Sequence, residues 1–199
     1  MSAMNETLQA NVLSRLRSET RDQHDAIERT LVLMDDSLTL DAYRQRLEQF
    51  FGYYQPVEQC LFGADSPLAN WVPLQQRRKT HLLEADLATL GVQAAQQLPI
   101  CGDLPPLASV ADYFGCMYVL EGASLGGVLI SRHIRATLNV TPEAGGKFFY
   151  GYGEQTGAMW HDFRSAISAF SIESADHDAV VASARATFET LQRWCEGNR

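Results

Sequence analysis

Residues 110–138 read VADYFGCMYVLEGASLGGVLISRHIRATL, and the reading of this stretch decides the fold. It is far longer than a strand and mostly apolar, and Ser109 followed by Asp112 has the spacing of a helix N-cap with its reciprocal acid. It therefore predicts one long buried helix. Gly122, Gly126 and Gly127 lie inside it, where each glycine costs about 1 kcal/mol relative to alanine. Gly122 and Gly126, four apart, bare the backbone along one face. Either a neighbouring helix packs closely there, or something flat must lie against the backbone itself.

Helical periodicity continues on both sides, and no stretch alternates cleanly enough for a strand. A first helix is expected from about Asn11 to Leu33, with Leu13, Leu16, Thr20, His24, Ile27 and Leu31 on one face. A second begins after Thr39, and Pro56 should kink or interrupt it rather than end it, because VEQCLF continues in register. The segment LQQRRKTHLLEADLATL predicts a helix stopped by Gly91. Two more are expected at about Ala158–Phe170 and Ala175–Glu196, the second capped by Ser174. The stretch TPEAGGKFFYGYGEQTG is irregular by its glycines. The expected architecture is one all-α domain over residues 1–199, with 1–10 as an N-terminal tail.

Of 199 residues 46% are apolar, and the formal charge is −8. That balance opposes binding to a nucleic-acid backbone or to anionic lipid. An anionic partner must be small and held by a few local arginines. Cys60, Cys101, Cys116 and Cys195 form no C-x-x-C pair, which suits reduced thiols in the cytoplasm. The N-terminus shows no apolar core of a secretory signal, and no membrane segment is expected.

The usual motifs for chemistry are missing. No histidine follows a glutamate by three residues, as a di-iron bundle requires, and H-E-x-x-H, G-x-S-x-G and a Walker loop are absent. GYGEQTG contains G-x-G without a preceding strand. What remains is His24, alone on the apolar stripe of the first helix. It is either a satisfied core histidine or one imidazole offered to a metal whose other ligands belong to a macrocycle.

Taken together, LRSETRDQHDAIE and MYVLEGASLGGVLISRHI resemble the proximal and distal helices of the haem oxygenases, in the right order and at the right separation. FFYGYGEQTGAMWHDFRSAI is similar to the bacterial branch found beside phytochromes. The resemblance covers roughly residues 11 to 195. It implies a multihelical single domain with haem between the first helix and a glycine-kinked distal helix. It further implies oxidative cleavage of haem b, both substrate and cofactor, to biliverdin, CO and ferrous iron. His24 would be the proximal iron ligand, and Gly122, Gly126 and Gly127 would lie on the distal side, Gly122 and Gly126 against the ring. Arg17, Tyr118 and Arg164 would meet the propionates, although a solvated surface arginine remains the alternative for Arg17 and Arg164. Electrons would come from a ferredoxin or a flavoprotein reductase, and a phytochrome apoprotein could accept the product. Ala123 stands where the mammalian enzymes carry a distal aspartate, leaving Glu121, Ser124 and His133 as polar neighbours. The alternative function is a haem chaperone or store with the same pocket and no ring cleavage.

Overall fold

The computed structural model describes residues 12–174 and 176–198, apart from the side chains of 172–174; the expected tail lies outside the described residues. These residues form helices and connecting turns, with no strand among them. Helix α1 covers 12–19, α2 Arg21–Leu31, α3 Leu40–Leu61, α4 Thr80–Thr89, α5 Val110–Leu138, α6 Lys147–Tyr150, α7 Thr156–Ser174 and α8 His177–Gly197. Short 3-10 turns stand at Pro67–Asn70, Leu74–Arg77, Ala95–Gln97 and Gly153–Gln155.

The expected first helix is divided at Thr20. Its hydroxyl donates to the Leu16 carbonyl at 2.6 Å while its own amide donates to the same oxygen at 3.1 Å. Such back-bonding bends a helix without ending it, and the His24 amide resumes the ladder to Thr20 at 3.0 Å. Helix α3 does run through Pro56. The missing proline N–H would leave the Gly52 carbonyl unpaired, and the Cys101 amide takes it at 2.8 Å. Only glycine admits this neighbour, since a Cβ on Gly52 would lie 2.4 Å from the Pro99 carbonyl oxygen.

The helix predicted before Gly91 starts later than its pattern suggests. Leu74–Arg77 is a 3-10 turn and α4 begins only at Thr80, because Arg77 and Lys79 turn inward to an ion pair on α5. The start of α4 is then capped from α3: Glu58 accepts the Lys79 amide at 2.6 Å and the Thr80 hydroxyl at 2.7 Å. Gly91 has φ +89°, the left-handed stop expected of it. Ser174 is the last residue of α7, so Asp176, not Ser174, precedes α8.

Helix α5 has its full predicted extent, with the Ser109–Asp112 capping box formed, and it continues unbroken through its glycines. By length and composition it could cross a membrane, but it packs along α8 and also meets α3, α6 and α7, as the central helix of the fold. The four cysteines are free thiols, three of them buried, and burial pushes the Cys116 thiol up to about 12.

Candidate functional site

Helices α2 and α5 both lie against α8 with few or no contacts between them, which leaves room for a cleft between the two. His24 does not sit in the core, as its place on the apolar stripe allowed. Its side chain is 54% exposed, and the ring meets the edge of Phe188 on α8, with centroids 5.9 Å apart. Nδ1 lies 3.8 Å from both Asp25 Oδ1 and Glu28 Oε1. Those distances exceed a direct hydrogen bond, yet two carboxylates beside Nδ1 favour the tautomer with its proton there. The Nε2 lone pair is then free for a metal.

Across the cleft, Gly122 is half-buried and Gly126 exposed, and a Cβ on either would meet no atom within 4 Å. Close packing between helices therefore does not explain them. Gly127 is different: its Cβ would lie 2.7 Å from the Phe149 carbonyl oxygen, so this glycine admits α6 and does not face the cleft. This approach of α6 accounts for Gly127 without a ligand, unlike its two neighbours. Ala123, Leu125 and Leu129 are exposed beside the two open glycines, the leucines at 41% and 58%. The result is an apolar, bare-backboned face on α5 and an exposed histidine on α2, a pair that would suit a flat ligand held by one axial nitrogen.

One end of the cleft is basic. The Tyr118 hydroxyl is pushed above its usual range by burial and drawn back by the positive charge of Arg17. The Tyr118 ring lies 5.8 Å from that of Trp160, and Arg164 follows Trp160 by one turn of α7. Arg17 and Arg164 are exposed, with no ion pair among the described residues. At the other end the His133 ring contacts the Asp35 carbonyl oxygen at 3.1 Å, tying α5 to the turn after α2.

Of the three polar neighbours of the glycines, two are engaged elsewhere. His133 is engaged with Asp35. Ser124 Oγ is buried without a partner. Glu121 is 2% exposed and accepts from Arg77, from Lys79 at 2.7 Å and from the Tyr152 hydroxyl at 2.8 Å. Three donors, two of them cations, thus engage this carboxylate away from the cleft. Sequence reasoning missed this cluster because Arg77 and Lys79 sit in a polar run, QQRRKTH, that reads as a solvated surface. Phe188 was also missed, since an aromatic at helical spacing signals only core.

The sequence matches the family model Heme oxygenase over residues 10–197. The chain belongs to the haem oxygenase family. Members of this family are oxidoreductases that degrade haem. A heme oxygenase of Xanthomonas campestris is 28% identical over 134 residues, 64% of this chain and 77% of that protein. The fold agrees with solved haem oxygenases. That of Neisseria meningitidis superposes with a TM-score of 0.78 at 19% identity, covering 94% of this chain and 91% of the other. That of Leptospira interrogans gives 0.75 at 17% identity, covering 94% and 98%. Heme oxygenase-1 of Synechocystis, solved in complex with heme, gives 0.73 at 17% identity, covering 94% and 91%.

Proposed function

We propose that this member of the haem oxygenase family binds haem b in the cleft between α2 and α5 and cleaves it to biliverdin, CO and ferrous iron. The observation that carries the reading is the pairing of a cleft-facing His24 with Gly122 and Gly126, beyond whose Cα atoms lies open space. Bound haem supplies the iron that activates O₂ and is itself the ring that is opened.

The protein's own residues bind and orient. His24 presents Nε2 to the iron, with its Nδ1 proton held toward Asp25 and Glu28. A neutral imidazole, unlike a thiolate, adds little electron density to the iron. Gly122 and Gly126 let the ring approach the α5 backbone, and that wall confines the distal side. Leu125 and Leu129 extend it with apolar surface that excludes water from the ring. Arg17, Tyr118 and Arg164 meet the two propionates at the basic end and so set the in-plane orientation, hence the carbon attacked. Ala123 brings no acid, and Glu121 and His133 are engaged elsewhere, so water in the cleft delivers the protons.

Electrons come from a separate protein, a ferredoxin or a flavoprotein reductase, since the chain carries no flavin or nicotinamide motif. A phytochrome apoprotein is the proposed acceptor of the product. The enzyme acts in the cytoplasm as a single domain, 1–199.

The test is to load the protein with haem, add an electron donor in air and follow absorbance. Loss of the haem spectrum with appearance of biliverdin and chelatable ferrous iron is expected. A stable haem spectrum under turnover conditions would identify a haem chaperone or store instead, and no haem spectrum at all would overturn the site.

A further inference from the structure

The flank of α5 turned away from Gly126 forms one wall of a second concavity, a pocket of about 330 Å³. Val128 and Val140 give it apolar surface, and Arg132 and Arg135 line the same wall. Tyr150 also lines it, with its ring packed on Gly153. A Cβ on Gly153 would fall 2.7–2.8 Å from the Tyr150 ring and hydroxyl, and Gly153 has φ +57°. The glycine therefore leaves the ring its place against this wall.

The pocket gathers two positive charges in a chain of net charge −8. Several arginines here are matched by acids, Arg15 with Glu19 and Asp178, Arg77 with Glu121 and Arg193 with Asp103, whereas Arg17 and Arg164 at the cleft are not. Arg132 and Arg135, one turn apart on the helix, pair with no acid among the described residues, and neighbouring like charges at that spacing repel. Glu154 also lines the pocket but forms an ion pair with neither. Arg135 lies in the last turn of α5, where it complements the helix dipole. The dipole effect is confined to that turn, so it leaves Arg132 unexplained. The hydroxyls of Ser131 and Tyr150 donate no hydrogen bond to any described residue and line the same space.

We propose that this pocket binds a small organic anion. Its apolar body would rest on Val128, Val140 and the Tyr150 ring, and its carboxylate or phosphate group would be held by Arg132 and Arg135 with the two hydroxyls. Two guanidinium forks match either oxyanion, and the apolar surface selects against inorganic ions. The site is separate from the haem cleft and does not depend on the function assigned to that cleft.

Phenyl phosphate and benzoate, titrated calorimetrically into the full chain with and without haem, test this. Saturable one-to-one binding of either is expected in both forms; phosphate-only or carboxylate-only binding names the source of the oxyanion. Arg132→Gln and Arg135→Gln should each weaken it about tenfold, the loss of one charged hydrogen bond, and leave haem affinity unchanged. Absence of saturable binding by both probes would overturn the proposal. So would binding that disappears on haem loading, which would move it to the Arg17 end of the cleft, or affinity unchanged in both variants.

Discussion

Helix α5 carries glycines that do opposite things. At Gly115 a Cβ would fall 2.3 Å from the Val180 carbonyl oxygen and 2.7 Å from Ser183 Cβ, and at Gly127 it would fall 2.7 Å from the Phe149 carbonyl oxygen. At Gly122 and Gly126 it would touch nothing within 4 Å. The first pair is glycine because the protein's own backbone comes close. The second pair has no such neighbour among the described residues, so packing there does not offset its cost in helix stability. The same residue type thus serves close packing at two positions of α5 and leaves open backbone at two others, and only the neighbours distinguish them.

The largest test of that contrast lies on the opposite wall. His24→Ala should abolish biliverdin formation while circular dichroism shows unchanged helicity and Tm, because the side chain is half exposed and rests on the edge of Phe188. Full turnover by this variant would remove His24 from the iron. Next comes the buried cluster behind Gly122. Glu121→Gln leaves Arg77 and Lys79 buried without their anion, and should cost about 3 kcal/mol in urea denaturation.

The glycines themselves follow. Gly115→Ala forces α5 away from α8 and should cost about 2 kcal/mol, read as a lower Tm. Gly126→Ala should instead raise haem-free stability by up to about 1 kcal/mol, because the helix gains propensity and meets no clash, while haem affinity falls. Equal destabilisation by both substitutions would erase the distinction between the packed and the open glycines. The smallest effect is expected at the basic end: Arg164→Glu should shift the biliverdin isomer ratio or weaken haem binding severalfold, with Tm unmoved. An unaltered product pattern and affinity would return Arg164 to the solvent.

Much of this was legible in the chain. The 29-residue α5 and its capping box follow from local pattern, because a long apolar run between an N-cap and Asn139 has no competing conformation. His24 stood out for being the wrong chemistry on an apolar stripe. Its actual exposure did not, since a stripe read from spacing cannot say which of its members faces core and which faces a cleft. Gly127 was grouped with its neighbours for the same reason: one residue along a helix is a rotation of about 100°. The delayed start of α4 was beyond local reasoning, because Arg77 and Lys79 leave the helix for a partner more than forty residues away.

That partner has a mechanical meaning. Glu121 precedes Gly122, and three donors from two other segments grip its carboxylate, so it acts as a key that stops α5 from rolling about its own axis. With Cα atoms on a cylinder of about 2.3 Å radius, a roll of about 30° would carry each glycine about 1.2 Å sideways. The loop at 74–79, far from the cleft in sequence, thereby sets the angular phase at which the bare backbone meets its ligand.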